Sequence, residues 1–400
     1  MISTNSLSKF EHIAVAFYIV LLATQFIGLE GFVISPIKVA AMLCAPLIIL
    51  ACGYVKHLSD ALVYGVLYIT VITVCALCAS NTVSFARIGY RTMYVMTFIC
   101  IYYMIHRGQI ELSYIKRVFQ IIIIAYGIIL CIQYILYFGG IRQYTLLNFY
   151  GAVGMNGVFK PNGLAGEASH AARILAVLYY GLLKLTDIDT GNNVSFKSSW
   201  REDLKLSTIS FWASMIMLHS ATAIIGMFLI LLYFFKENRM MILCSLVVFI
   251  ILMNIEIDNL TLKRIQVVFN SLFSEDIASS LQRGEGSGAV RIMPILNTLT
   301  NLNLFSLSAW IGNGNVQDLS MDFVKRMFSE DRYIGDISDY GLISYMISLA
   351  LVYKCSIGHF FSIESLMFLC LATFSVGSVP YTWLMLIVFC ITKYYANNNL

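Results

Sequence analysis

Long apolar segments alternate with short polar connections along the whole chain. Most of these segments approach the roughly 20 apolar residues that carry an α-helix across a bilayer. The twelve predicted spans are residues 12–32, 37–55, 61–79, 92–106, 118–138, 168–185, 206–219, 221–235, 240–256, 337–353, 360–377 and 380–394. Lipid offers backbone groups no hydrogen-bond partners, so we expect helices throughout. The predicted fold class is therefore all-α, a polytopic integral membrane protein whose residues 1–400 form a single membrane domain.

The stretch 206–235 decides the predicted topology. It is long for one helix, and the polar residues His219, Ser220 and Thr222 interrupt it. If it forms two short helices, most lysines fall on one side of the membrane, which the positive-inside rule identifies as cytoplasmic. A single helix would scatter the same charges over both faces. We therefore predict two helices here and twelve spans in all.

This topology leaves two large extracytoplasmic loops, residues 139–167 and 257–336. Long loops in compact proteins are usually either functional or disordered, so we expect the function to lie in them. Residues 292–311 in the second loop are half apolar but carry several Asn and Thr residues. That pattern predicts an amphipathic helix at the membrane surface, with a thirteenth span as the alternative.

Composition agrees with a membrane protein. Hydrophobic residues make up 59% of the chain and charged residues 12%, the latter about half the share in a typical soluble domain. We expect no separate soluble domain and no nucleic-acid partner. Cys75 and Cys78 have the spacing of metal ligands, but their neighbours are apolar and no second Cys or His pair accompanies them. We therefore predict neither a metal site nor a cofactor.

One short stretch, residues 159–173, joins a loop rich in Gly, Pro and Asn to the start of an apolar segment. Glu167 and His170 are three residues apart, which places them on one face of the following helix, and Arg173 lies a turn further in. Ionisable residues inside a membrane segment are costly, so each is a hypothesis for function. The structural alternative is that Glu167 caps the helix and Arg173 extends to the surface.

Basic residues on the predicted outer side are mostly arginines, although short external loops normally avoid Lys and Arg. The planar guanidinium of arginine matches phosphate oxygens, and such pairs strengthen away from bulk water. The candidate anion-binding residues are Arg87, Arg91, Lys160, Arg173, Arg283, Arg291 and Arg332. For Arg87 and Arg91, four residues apart, the alternative is ordinary attraction to lipid headgroups.

The second outer loop carries two further features. Arg283 and Arg291 bracket a predicted Gly/Ser turn whose backbone N–H groups could face an anion; the alternative is a flexible surface turn. No Gly-Lys-Ser/Thr follows, so this is not a Walker loop. Asp336 precedes a late span, where a carboxylate at an apolar boundary is a candidate general base, although Asp residues there also suit helix capping.

With these motifs the chain resembles the Wzy-type polymerases of O-antigen and capsule repeat units, within a wider family that includes O-antigen ligases. The likeness rests on Gly163 to His170, similar to the family's Gly-x-x-x-Glu-Pro-Ser-His pattern, on Arg283…Ser287…Arg291, and on Gly312-Asn313-Gly314 followed by Tyr340-Gly341-Leu342-Ile343. The twelve-span layout also fits. Two positions depart from the pattern, because Ala168 stands where Pro is usual and Lys160 where Arg is frequent.

The resemblance implies a membrane glycosyltransferase. It would transfer a growing glycan from undecaprenyl diphosphate onto the terminal sugar of an incoming lipid-linked unit, at the outer face of the bacterial cytoplasmic (inner) membrane. Arg291 and Arg283, with Arg173 and Arg91 as second choices, would bind the diphosphate, and Glu167 or His170 would take the proton of the attacking hydroxyl. The implied partners are membrane lipid, the lipid-linked oligosaccharide, a flippase and a chain-length regulator.

Two other functions remain open. The first is an O-antigen ligase, which differs only in its acceptor. Ligases of the family often carry a His before the late Gly, whereas the local candidates here are Arg332 and Asp336, which favours a polymerase. The second is a flippase or transporter of the same lipid-linked sugar. Transporters tend to show two similar halves, and the first six predicted spans do not resemble the last six.

Overall fold

A computed structural model describes residues 4–25, 36–53, 58–78, 85–141, 159–236, 260–271, 286–313, 333–335, 337–377 and 379–398, together with residues 240, 247, 250, 251, 254 and 274. Within these residues the chain is helical and contains no β-strand. The prediction of an all-α fold is therefore confirmed.

The described part of the chain contains fourteen α-helices. They are α1 Thr4–Ala23, α2 Pro36–Ala51, α3 Asp60–Cys78, α4 Phe85–His106, α5 Leu112–Phe138, α6 Ala168–Thr190, α7 Glu202–Met217, α8 Ala221–Phe234, α9 Leu260–Ser271, α10 Gly286–Thr300, α11 Leu307–Ile311, α12 Ile337–Cys355, α13 Ile363–Ala372 and α14 Pro380–Asn398.

Three of these helices are long and apolar enough to cross a membrane: α3, the Arg87–His106 part of α4, and α5. Shorter apolar helices lie at Lys38–Ala51, Ala221–Phe234 and Ile363–Ala372. These helices are compatible with residence in a membrane. The count of twelve spans stays a prediction.

The stretch 206–235 forms two helices, α7 and α8, as predicted. His219 lies in the turn between them with a positive φ of 45°, which is uncommon for a residue other than glycine. Tyr134 of α5 donates a hydrogen bond to the carbonyl of Met217 at this turn, at 2.7 Å. The turn is thus held against the end of α5.

The single amphipathic helix predicted over 292–311 is wrong, because the chain forms α10 and α11 with a break between them. Local hydrogen bonds explain the break. The Asn303 side-chain oxygen accepts from the N–H of Phe305 at 3.0 Å, and the Ser306 hydroxyl accepts from the N–H of Ala309 and caps α11. Short polar side chains of this kind compete with the helical backbone.

α6 and α14 form the centre of the bundle. Every residue from Ala171 to Leu183, and from Thr382 to Thr392, is buried. A helix that is apolar on all sides is normally surrounded by protein or lipid, and here other helices surround both. Gly181 permits their close approach, since a Cβ at that position would overlap side chains of α5 and α14. Arg173, the charged residue within the buried stretch of α6, is consequently placed among packed helices.

The bundle has two ends. At one, which we call the Glu167 end, α6 and α14 begin and α1 ends, and Gln25 after α1 donates its N–H to the Leu164 carbonyl at 2.7 Å. At the opposite end, ion pairs join helices that are distant in sequence: Glu11–Arg107 at 3.0 Å, Lys116–Asp189 at 2.8 Å and Asp187–Lys236 at 2.7 Å.

Candidate functional site

The loop before α6 is held in place by a buried amide. Gln133 of α5 is fully buried, and its side-chain oxygen accepts from the N–H groups of Asn162 and Gly163, at 3.2 and 2.9 Å. Its amino group donates to the Asn162 side-chain oxygen at 2.9 Å. Gly163 has a φ of 60°, and a Cβ there would lie 2.8 Å from the ring of Tyr126. Only glycine therefore fits this position without strain.

Gln25 fastens the far end of the same loop. Its side-chain oxygen accepts from the N–H of Gly166 at 2.9 Å and lies 3.3 Å from Nδ1 of His170. Tyr126 also donates a hydrogen bond to the carbonyl of Ala23 at 2.6 Å, which ties the end of α1 to α5. The loop is thus bound to the ends of two helices before α6 begins.

Glu167 and His170 lie together at the start of α6, as predicted. Nε2 of His170 is 3.9 Å from an Oε2 carboxylate oxygen of Glu167. Glu167 occupies the N-cap position, but its side chain makes no capping hydrogen bond and is 70% exposed. Glu167 therefore stands at the N-cap position of α6, but its side chain does not cap the helix. The carboxylate accepts from the hydroxyl of Ser169 at 3.3 Å.

Arg173 is buried one turn further along α6, with only 9% of the residue exposed. Its guanidinium carbon lies 4.4 Å from the centre of the Tyr381 ring. Its Nε has no hydrogen-bond partner in the described residues, and none of the carboxylates described there pairs with it. The side chain does not extend to the surface. A buried cation with few polar partners attracts an anion more strongly than an exposed one, because less solvent screens its charge.

Tyr381, the second residue of α14, connects Arg173 with His170. Its ring centre is 4.8 Å from that of His170, and the same ring carries the guanidinium of Arg173. Sequence analysis did not single out this tyrosine. The imidazole of His170 and the buried guanidinium of Arg173 therefore share one aromatic neighbour.

Arg87 and Arg91 face the start of α12. Arg91 is 3% exposed; its Nη1 donates to the Tyr68 hydroxyl at 3.4 Å, and its guanidinium carbon lies 4.5 Å from the centre of the Tyr340 ring. Arg87 is partly exposed and reaches Asp339 at 3.8 Å. Contacts within the protein thus account for Arg91, and headgroup attraction alone does not explain its position.

Residues 376–377 and 379–383 include contacts to the surroundings of both Arg91 and Arg173. The carbonyl of Val376 accepts from Tyr68, the partner of Arg91, at 3.3 Å, and Tyr381 packs against Arg173. The indole N–H of Trp383 donates to the carbonyl of Gly377 at 2.8 Å, which closes the turn into α14. Two buried guanidinium groups are therefore separated by one short, well-anchored segment at the Glu167 end.

Two glycine motifs that are distant in sequence meet beside Arg91. Gly341 has φ 77° and ψ 172° within α12, and a Cβ there would overlap the backbone of Trp310. Gly312 similarly approaches the backbone of Asp339. This contact sets the start of α12, and with it the ring that covers Arg91.

Ser338 binds the chain on both sides of residues 314–332. Its carbonyl accepts from the N–H of Asn313 at 3.0 Å, and its hydroxyl accepts from the N–H of Tyr333 at 3.1 Å. The segment therefore begins and ends at one point of the bundle.

The remaining predicted residues fall elsewhere. Lys160 is half-buried in the loop before α6. The predicted Gly/Ser turn is wrong from Gly286 onward, because Gly286–Arg291 opens α10; glycines are tolerated in a first turn, where the backbone N–H groups lack helical partners. The side chain of Arg291 lies outside the described residues, as do Arg283, Arg332 and Asp336 in full.

Metal ligands are not gathered anywhere in the described part of the chain, where no three His, Cys, Asp or Glu side chains converge. Cys75 is buried in α3 and Cys78 is exposed at its end.

No family model, curated protein or solved structure matches the chain. The Glu167 end of the bundle is the candidate functional site. There, buried guanidinium groups can bind a multiply charged anion, and a carboxylate beside an imidazole can accept a proton.

Proposed function

We propose that this chain is a polysaccharide polymerase of the bacterial inner membrane. It transfers a glycan from undecaprenyl diphosphate to the sugar hydroxyl of a second lipid-linked repeat unit, at the periplasmic or exterior face. In this proposal the chain crosses the membrane twelve times and the Glu167 end faces outward. The reaction needs neither metal nor nucleotide, because the donor already carries its leaving group.

The proposal depends mainly on the position of Arg173. Its guanidinium is buried at the Glu167 end and forms no ion pair within the described residues. As the bond between the sugar and the diphosphate breaks, negative charge builds on the leaving oxygen. A cation already held in place stabilises that charge without reorganising. Arg91, on the other side of the segment 376–383, supplies the second cation.

Glu167 and His170 are the proposed proton acceptors. Their separation of 3.9 Å is longer than a hydrogen bond, so the attacking hydroxyl can approach either group. Glu167 is largely exposed, which suits a group that meets an incoming acceptor. Arg173 lies one turn along the same helix, so the leaving group and the acceptor are held on one side of α6.

The test is the glycan profile of cells lacking the gene and complemented with wild type, Arg173→Ala or Arg201→Ala. Arg201 is an exposed arginine at the opposite end and serves as the control. We expect long chains with wild type and Arg201→Ala, and lipid bearing a single repeat unit with Arg173→Ala and in the deletion strain.

Two results would replace the proposal. Long chains that accumulate on undecaprenyl diphosphate in the deletion strain would identify a ligase. Absence of repeat units from the outer face would identify a flippase or transporter. Normal polymerisation by Arg173→Ala would remove the role assigned to this arginine.

A further inference from the structure

We infer that Gln25 is a positioning residue that fixes the proton of His170 on Nδ1 and so places the lone pair of the neutral imidazole on Nε2. Gln25 follows α1 and lies 145 residues before His170 in sequence. A role for Gln25 in catalysis rests on the proposed function, whereas the position of the proton on His170 does not.

The orientation of the Gln25 amide follows from its contact with Gly166. A backbone N–H can only donate, and the N–H of Gly166 points at the side chain of Gln25 at 2.9 Å. The atom that receives it must be the carbonyl oxygen, because the amide nitrogen is itself a donor. The N–H of Gly166 therefore fixes which atom of the Gln25 amide is the oxygen, a choice that side-chain shape alone does not decide.

The same oxygen lies 3.3 Å from Nδ1 of His170. An amide oxygen only accepts, so Nδ1 must carry the hydrogen of this contact. A neutral imidazole has one N–H, and the other nitrogen then carries the lone pair. That nitrogen is Nε2, the one on the side of Glu167.

The surroundings of His170 agree with this arrangement. Among the contacts within the described residues, His170 faces two ionisable groups, Glu167 on its own helix and Tyr381 of α14, and the uncharged Gln25 at the end of α1. The guanidinium of Arg173 contacts the same Tyr381 ring. When Nε2 takes a proton, the imidazolium is placed beside the Glu167 carboxylate, which stabilises the charge. Gln25 thus orients the base, and Glu167 supports its charged form.

The proton position can be read directly from the full-length chain, labelled with ¹⁵N-histidine and reconstituted in lipid nanodiscs. Long-range ¹H–¹⁵N correlations distinguish the two imidazole tautomers, and His170→Gln assigns the signal. We expect the Nδ1–H pattern in wild type and in Gln25→Glu, which keeps an acceptor oxygen. Gln25→Met has a similar length and no acceptor, so we expect it to shift His170 toward the Nε2–H pattern.

His106 provides an internal control for folding. Its Nδ1 lies 2.9 Å from the carbonyl of Tyr102, at the opposite end of the bundle, so it too must be the Nδ1–H tautomer. Its signal should stay unchanged in both Gln25 variants. An Nε2–H pattern for His170 in wild type, or an unchanged His170 signal in a folded Gln25→Met protein, would overturn the inference.

Polymerisation by the same preparations separates the inference from the proposed function. If His170 is the base, Gln25→Met loses activity by up to ~10²-fold, Gln25→Glu restores most of it, and Gln25→Met adds nothing to His170→Gln. Normal polymerisation by His170→Gln, with the expected tautomers, would remove the catalytic role and leave the proton position standing. A Gln25→Met loss that persists in the His170→Gln background would mean that Gln25 acts on the loop alone.

Discussion

Arg173→Met is expected to lower activity without lowering stability. Methionine keeps an unbranched apolar stem of similar reach, so the packing of that stem against α14 is largely retained. The substitution loses a cation–π contact of about 0.5–2 kcal/mol with Tyr381. It also removes a buried charge whose desolvation costs several kcal/mol and which no carboxylate in the described residues offsets. The free energy of unfolding should therefore stay equal or rise.

The effect on activity should be large and in the opposite direction. Removing one preorganised donor to developing negative charge typically slows catalysis by about 10²–10³-fold. The assay combines a polymerisation rate, measured with purified lipid-linked repeat units in nanodiscs, with the melting temperature of the same preparation. We expect the rate to fall by that factor while the melting temperature is unchanged or higher.

Arg107→Met is the matched control, because Arg107 has a carboxylate partner and Arg173 has none within the described residues. Arg107 binds the buried carboxylate of Glu11 at 3.0 Å, at the opposite end of the bundle. Losing that contact should destabilise the protein by about 1–3 kcal/mol, with the rate per folded molecule unchanged. If Arg173→Met instead lowered the melting temperature and kept the wild-type rate, Arg173 would be a structural residue and the reasoning would fail.

Three further results are expected. Gly341→Ala should cost at least about 1–3 kcal/mol of backbone strain, seen as a lower melting temperature, because φ is positive and a Cβ overlaps the backbone of Trp310. Glu167→Gln should shorten the glycan chains, whereas Glu202→Gln, at an exposed carboxylate of the opposite end, should not; full-length chains from Glu167→Gln would remove its role as proton acceptor. Gln133→Leu should lower the melting temperature, because two N–H groups of the loop lose their acceptor; an unchanged value would mean that water replaces the amide.

Much of the helical framework follows from the sequence, because its signal is strong and local. The start of α6 at Ala168 and that of α14 at Pro380 coincide with the predicted spans. The division of 206–235 into two helices was predicted from charge placement, a constraint that acts over the whole chain. The break within 292–311 was missed, since hydrogen bonds from Asn303 and Ser306 outweigh an amphipathic pattern.

Only the part of the candidate site that is formed by residues close together in sequence could be predicted. The spacing of Glu167, His170 and Arg173 identifies one side of α6. Gln25 lies 141 residues from the loop that it binds, and nothing in its neighbourhood distinguishes it from other polar residues at a span end. Tyr381 likewise becomes informative only when α14 is placed beside α6. Gln133 carried a usable signal, because a lone amide among isoleucines within an apolar segment needs an internal partner.

Because Ser338 bonds to both Asn313 and Tyr333, the positions of the helices do not depend on how many residues lie between these two. Asn313 and Tyr333, the described residues on either side of 314–332, both bond to the same serine. The entropy of closing such a segment grows only logarithmically with its length, by about 0.6 kcal/mol for each doubling. Insertions, deletions or exchange between residues 314 and 332 should therefore leave Arg91 and Arg173 in place. The length of the connection between Asn313 and Tyr333 can therefore change in evolution while the contact between Gly312 and Asp339 is kept.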